Sequence, residues 1–387
     1  MPETGDVGRR RGGLRRAETY CRLYIPPPES VGFPSVTEHI VTIDGSQGEG
    51  GGQILRTCLG MSAAFGIPVR IAQVRAGRER PGLRPQHLAA VRAAAAICDA
   101  AVTGGEIGSM DLTFVPGPVR AGRFRFDIGT AGSGSLVCQT VIPALLAAEG
   151  ESQVTVTGGT HNPLAPCFEY LRDVFGVLAS ASGAQIYLEM ARAGFYPGGG
   201  GEIRMQVMGT GGVGELGPLR LAGRGELRHI EGVSAASYSL AAHIIDRQTR
   251  QALGRLAKAE HRATVEQAVW ETFSPGTVVF LRAVFARSVA GFAALGRRGK
   301  SAEQVADEAV DALLDFLGSP GAVDAHAADQ LLALAALCAD ESRYLAQRAT
   351  DHLKTNAQVI GQLLGRQIDI APAEGGAAWV TVRAKED

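Results

Sequence analysis

One plan recurs along this chain: an alternating strand, a glycine-rich or polar loop, then an apolar helix. Such internal self-similarity constrains the fold before any single residue is weighed. Ile40-Val41-Thr42-Ile43-Asp44 alternates as a strand does and runs into Gly45-Ser46-Gln47-Gly48-Glu49-Gly50-Gly51-Gly52, then into a helical stretch from Gln53 to Ala64. Residues 124–148 repeat it with Phe124-Arg125-Phe126-Asp127-Ile128, the loop Gly129 to Ser135, and the apolar helix Leu136 to Ala148. A third copy is expected at Asp324-Ala325-His326-Ala327-Ala328-Asp329-Gln330, followed by a helix from Leu331 to Ala339.

Each copy continues into a strand and a second helix with a short polar entrance, at residues 81–87, 158–163 and 350–356. Proline, glycine and asparagine there are ordinary turn and helix-start chemistry. The copies end in β-like stretches such as Ile203 to Val207 and Trp379 to Val382. The pattern predicts an α/β (α+β) fold of three βαβαββ-type units, small sheets each covered by two helices. These would form one large domain from residues 38–220 and 320–387. Residues 221–319 break the period and are expected to form a small inserted α/β domain. Its elements are a strand from Leu227 to Val233, a helix from Ala235 to Lys258, a strand from Thr277 to Phe285 and a helix from Ser301 to Leu317. Ser301 with Gln304 makes a capping box, and Val305, Ala309, Leu313, Phe316 and Leu317 share one helix face.

The 387 residues suffice for two or three ordinary domains. Lys and Arg number 38 against 39 Asp and Glu, which excludes a global cationic coat for nucleic acid but not a local basic patch. Hydrophobic residues at 45% exclude bulk disorder, and the longest apolar runs fall short of the roughly 20 residues that span a bilayer. A soluble protein without a membrane partner is expected. The six cysteines form no C-x-x-C pair, so they read as buried thiols in a reducing compartment rather than as a zinc or redox site. No secretory apolar segment follows the first basic residues, and the cytoplasm is the expected location. Residues 1–37, with Arg9, Arg10, Arg11, Arg15, Arg16 and Pro26-Pro27-Pro28, read as a mobile basic arm.

Three groups of residues could carry chemistry. The loop at 45–52 lies between a strand and a helix, where backbone N–H groups and the helix N-terminus favour phosphate. It lacks the spacing of a P-loop or dinucleotide fingerprint. Glu49 would repel a phosphate unless a divalent cation stood between them; it reads either as a metal ligand or as a capping carboxylate. Residues 75–87 hold four arginines among turn residues, which suit phosphate recognition or a solvated face. No aromatics interleave with them, so base stacking is not supported there. His352 stands between Asp351 and Lys354 at a helix entrance. A neutral imidazole so placed is a competent nucleophile toward phosphorus, or else a helix-entrance residue, as His87 and His161 could be in the other copies.

Ile43-Asp44-Gly45-Ser46-Gln47-Gly48-Glu49-Gly50-Gly51-Gly52-Gln53-Ile54-Leu55-Arg56 closely resembles the opening signature of RNA 3′-terminal phosphate cyclases. Arg75-Ala76-Gly77-Arg78, Pro81 to His87, Gly194-Phe195-Tyr196-Pro197-Gly198-Gly199-Gly200, His326 to Gln330 and Asp351-His352-Leu353-Lys354-Thr355-Asn356 are similar to further motifs of that family, in the same order, across about residues 39–384. The resemblance implies an ATP-dependent ligase that uses Mg²⁺ or Mn²⁺ to convert an RNA 3′-phosphate into a 2′,3′-cyclic phosphate. His352 would take AMP from ATP and release pyrophosphate, the AMP would pass to the RNA phosphate, and the 2′-OH would expel it. By the same resemblance Glu49 would hold the metal, and Gln139 with His326, Ala327, Ala328, Asp329 and Gln330 would contact ATP. Arg56, Arg75, Arg78 and Gln86 would face the RNA end or the ATP phosphates. Three other readings share parts of the pattern: a noncatalytic cyclase relative acting in ribosome assembly, which would lack the histidine; an enolpyruvyl transferase of similar repeated units; and an RNA-end-binding module without turnover.

Overall fold

A computed structural model describes residues 40–48 and 51–384. The basic arm, Cys21 and Glu49 therefore lie outside the described residues.

The first sheet contains β1 (Val41–Asp44), β2 (Val69–Ala72), β3 (Ala101–Thr103) and β4 (Leu112–Val115) in the order β1-β2-β4-β3, with α1 (Gly52–Phe65) and α2 (Pro85–Cys98) as its helices. β1 runs parallel to β2, and the other pairs are antiparallel. The second sheet contains β5 (Arg123–Asp127), β6 (Glu149–Gly158), β7 (Gln185–Arg192) and β8 (Gly201–Thr210), in the order β5-β6-β8-β7 with the same senses. Its helices are α3 (Gly134–Ala147) and a stretch over residues 168–180 with a π-helical turn at Leu171–Phe175.

The chain then places the short β9 (Arg220–Leu221) before four strands of another sheet: β10 (Leu227–Ser237), β11 (Ala263–Trp270), β12 (Thr277–Phe285) and β13 (Val289–Leu295), ordered β11-β10-β12-β13. Helices α4 (His243–Lys258) and α5 (Ala302–Leu317) accompany them, around an apolar cluster of their own that includes Leu256, Leu281, Leu313 and Phe316. Helices α6 (Ala325–Leu337) and α7 (Asp351–Leu364) follow, with β14 (Ser342–Ala346), β15 (Ile368–Pro372) and β16 (Ala378–Val382). β9 pairs parallel to β14, giving the order β15-β16-β14-β9. The mixed α/β class expected from the sequence is what the chain adopts.

Burial explains the arrangement. Alternate residues Val69 and Ile71 of β2 are wholly buried, as are Leu112 and Phe114 of β4, so each sheet presents one apolar face to its helices. The helices then meet one another: α1 packs against α2, α3 and α7, and α6 against α3 and α7. One continuous core runs through the first sheet, the second and the one that holds β14 to β16. Gly60 permits the close approach of α1 to α3, because a Cβ there would stand 2.7 Å from the Thr140 carbonyl oxygen of α3.

Several elements differ from expectation. Ala235 and Ala236 extend β10 rather than open a helix, paired to β11 on one side and β12 on the other. Two-sided ladder pairing and full burial override alanine's helix preference. The segment Ala325–Gln330 is helix, not loop, since the Asp324 carboxylate caps it by accepting from the His326 and Ala327 N–H groups at 3.0 and 2.9 Å. Asp351 to Asn356 likewise form the first turns of α7, capped by Thr350. No helix starts at 158–163; β6 runs to Gly158 and the next helix begins at Phe168. Ser301 and Gln304 make the capping box read from their spacing. The five described cysteines are buried free thiols, and among the described residues no helix is long and apolar enough to cross a membrane.

Candidate active site

The N-terminal portions of α1, α3, α6 and α7 open onto a cleft of about 690 Å³, whose far wall includes residues 291–297 of β13 and the turn after it. Gln53 and Arg56 reach it from α1, Gln139 from α3, His326, Asp329 and Gln330 from α6, and His352 with Asn356 from α7. Each polar side chain sits in the first half of a helix whose other positions are mostly buried in the core, so packing of the helices determines where these groups meet.

A chain of hydrogen bonds orients His352. Its Nδ1 is bonded to Oε1 of Gln53, whose Nε2 donates to Oδ2 of Asp329 at 2.6 Å. Above about pH 7, where Asp329 is ionised, its carboxylate can only accept, which commits the Gln53 amide to face it with its nitrogen and leaves Oε1 for the imidazole. Nδ1 then carries a ring hydrogen directed at Gln53. In the neutral ring this is the tautomer whose Nε2 can act as a nucleophile.

Charge at the floor of the cleft is balanced closely. Burial pushes the Asp329 carboxyl up to about 7, helped by Asp324 and opposed by the Arg56 guanidinium. Burial also lowers Arg56 to about 10, with Asp329 holding it up. Asn356 ties the helices around this pair: its Oδ1 accepts from Thr57 Oγ1 at 2.7 Å and its Nδ2 donates to the Asp329 carbonyl at 3.2 Å. Gln139 Nε2 donates to Gln330 Oε1 at 2.7 Å, joining α3 to α6.

The residues singled out in the sequence fall into three groups. Arg56, Gln139, His326, Asp329, Gln330 and His352 share the cleft. Ala327 and Ala328 do not line it; both are wholly buried on the core side of α6, where they allow close packing. Arg75, Arg78 and Gln86 lie beside the cleft, at the N-termini of α1, α2 and α3. Arg75 Nη1 donates to the carbonyls of Arg80 and Gly82 at 2.8 and 2.9 Å and shapes the turn. The Arg78 guanidinium sits against Gly51, and Gln86 Oε1 accepts from the Ser133 N–H at 3.0 Å.

The other two helix-entrance histidines differ from His352. His87 Nδ1 accepts from the Arg84 N–H at 3.2 Å, and burial with Arg75, Arg56 and Arg84 around it pulls its pKa down to about 3. His161 is buried, with Nε2 2.8 Å from Glu169 and Nδ1 2.7 Å from Thr160 Oγ1. Gln53, Thr57 and Asn356 were not singled out as site residues. Helical spacing holds the signal: Asn356 is one turn past His352, and Gln53 and Thr57 flank Arg56 on α1.

A family model described as RNA 3′-terminal phosphate cyclase matches residues 47–370. Proteins of that name are similar along almost their whole length. One from Methylococcus capsulatus is 45% identical over 350 residues, covering 89% of this chain and 96% of the relative. One from Nostoc punctiforme is 42% identical over 342 residues, covering 87% and 97%. One from Caldivirga maquilingensis is 41% identical over 337 residues, covering 85% and 94%.

Proposed function

The chain belongs to the RNA 3′-terminal phosphate cyclase family, and from that premise we propose that it converts RNA 3′-phosphate ends into 2′,3′-cyclic phosphates at the expense of ATP, with His352 as the covalent nucleophile. The observation that carries the reading is the Asp329–Gln53–His352 chain, which fixes the imidazole in the cleft through its Nδ1.

Nε2 attacks the α-phosphorus, a P–N bond forms, and the bond to the bridging oxygen breaks as pyrophosphate leaves. An oxygen of the RNA 3′-phosphate then attacks the same phosphorus, the P–N bond breaks, and its electron pair returns to the ring. Attack of the ribose 2′-OH on the activated RNA phosphorus, with loss of its proton, expels AMP and closes the ring. Splitting the reaction through an imidazole exchanges one hard displacement for easier ones. Arg56, aimed into the cleft, is suited to the charge that builds on phosphate oxygens, with Arg75 and Arg78 beside it. Gln139, His326 and Gln330 are the groups proposed to position the nucleotide.

Among the described residues no group of three or more His, Cys, Asp or Glu side chains could hold a metal, but the Asp329 carboxylate in the cleft is a hard donor of the kind that Mg²⁺ or Mn²⁺ takes together with phosphate oxygens. Asp329 and, from the sequence, Glu49 would hold it. When bound it neutralises developing negative charge.

Incubation with α-labelled ATP and Mg²⁺ or Mn²⁺ tests the proposal. Acid-labile, alkali-stable label is expected on the wild type and not on His352→Ala, and a 3′-phosphorylated RNA should become resistant to phosphatase. Absence of label overturns it and leaves a noncatalytic RNA-end binder, and label that survives His352→Ala overturns His352 as the nucleophile.

A further inference from the structure

Gly194 to Gly200, one of the motifs the cleft does not use, leads to a second feature. Tyr196 in that loop leaves 69% of its surface exposed, Phe273 72% and Tyr238 76%, and hydrogen bonds join the three segments that carry them at one corner. Gly198 N–H donates to Ser274 Oγ at 2.8 Å, and one edge of the Phe273 ring comes so close to Gly200 that a Cβ there would collide with it. Tyr238 is held by its N–H, which donates to the Trp270 carbonyl at 2.8 Å.

The corner has a rigid base. His161, Phe195 and Trp270 form a triangle of rings, with His161 tilted at 5.2 and 5.0 Å to the other two and Phe195 6.2 Å from Trp270, and Phe195 and Trp270 are each close in sequence to an exposed ring. The Arg192 guanidinium covers the Phe273 ring at 5.4 Å. Around the aromatics stand hydroxyls of Ser237, Ser239 and Thr272, hydrogen-bonded to one another. Aromatic faces set among hydroxyls and one stacked guanidinium offer what unpaired bases bind, whereas an apolar helix would require aliphatic pockets.

The corner is continuous with the substrate side of the cleft. Gly199 packs on Ala131, in the loop whose Gly132 abuts Gln86. Asn162, next to the stacked His161, lies on the cleft wall, and its buried Oδ1 has no hydrogen-bond partner among the described residues. A strand leaving the cleft past Gln86 and Asn162 comes to the aromatics.

We propose that Tyr196, Tyr238 and Phe273 form a stacking platform for unpaired bases of the RNA strand upstream of the terminal phosphate. This rests on the reading that the substrate is an RNA 3′ end. Phosphates are left to the arginines at 75–84. With Arg192 and Glu271 both exposed at the corner, stacking rather than net charge provides the grip.

Binding of a fluorescent single-stranded oligoribonucleotide of about ten nucleotides with a 3′-phosphate, against a 3′-phosphorylated dinucleotide, tests the platform. Tyr196→Ala, Tyr238→Ala and Phe273→Ala are each expected to weaken the longer RNA roughly five- to hundredfold, from about 1–3 kcal/mol per stacked base, and the dinucleotide little. The loss should be the same at low and high salt, because no phosphate contact is removed. Tyr196→Phe and Phe273→Tyr should restore binding. Alanine variants that melt like the wild type and bind the longer RNA as tightly overturn the proposal. So do variants that lose self-association in light scattering while keeping RNA, which would make the corner a protein interface. Wild-type protein that fails to take label from ATP but loses RNA grip in the alanine variants sinks the cyclase chemistry and leaves the platform standing.

Discussion

Thr57 on α1 donates a 2.7 Å hydrogen bond to Asn356 on α7, across 299 residues of sequence, and so closes the helix pair that carries Arg56 and His352. The same Asn356 amide holds the Asp329 carbonyl of α6. Asn356→Ala removes both bonds and leaves the Thr57 hydroxyl without its acceptor. A loss of about 1–3 kcal/mol in urea unfolding is expected, with a slower rate of labelling by ATP. Unchanged stability would show that the two helices do not depend on this residue.

Gln53 is expected to act on rate rather than on nucleotide affinity. Gln53→Ala removes the acceptor that holds the Nδ1 hydrogen of His352, and labelling should slow by about tenfold or more with KM for ATP little changed. Gln53→Glu places a second carboxylate against Asp329 and should be worse than alanine at pH 8. A rise in KM at constant rate would assign Gln53 to nucleotide binding instead.

Asp329 makes stability depend on pH with a definite sign. Its carboxyl titrates at about 7 in the folded chain and near 3.8 when unfolded, so between these values the native state binds more protons. Stability contributed at this site therefore falls as pH rises from about 4 to 7, by at most about 4 kcal/mol. Asp329→Asn should remove that slope and raise the melting temperature at pH 8, while labelling falls because an amide no longer commits Gln53. Urea midpoints of the two proteins across this pH range measure it.

His87 works in the opposite direction. It stays neutral in the folded chain down to about 3, whereas an unfolded histidine takes a proton near 6.5. Acidification from pH 6.5 toward 3 therefore destabilises the native state through this residue. His87→Gln, which keeps an acceptor for the Arg84 N–H, should retain more stability at pH 4.5 than the wild type, relative to each protein at pH 7.5. Parallel acid curves for the two would show that the arginines around His87 do not exclude its proton.

Gly48 is confined by geometry. Its φ of 55° is left-handed, and a Cβ would overlap the Thr355 hydroxyl of α7. Gly48→Ala should lower labelling strongly with a loss of about 1–3 kcal/mol from backbone strain and the displaced loop. Gly48→Ala with Thr355→Ala should recover part of it. No recovery would place the whole effect in the backbone.

Local pattern was enough for much of this protein. The alternation of residues 40–44, the apolar face of residues 305–317 and the capping box at Ser301 are short-range signals, because strand period, helix period and cap chemistry act within a few residues. The motif order likewise placed Arg56, Asp329 and His352 in one family's pattern before any of them was known to be near another. Only the tertiary structure decided the rest. Ala235 and Ala236 became strand because two neighbouring strands claimed their backbone groups. Ala327 and Ala328 turned away from the cleft because the helix that carries them has to bury one face. The Gln53 amide became the link between a carboxylate and an imidazole, and Tyr196, Tyr238 and Phe273 became neighbours, because long-range packing set their distances. A hydrogen bond or a stacked ring depends on separations of a few ångströms, and contacts between residues hundreds of positions apart leave no local period from which those separations can be read.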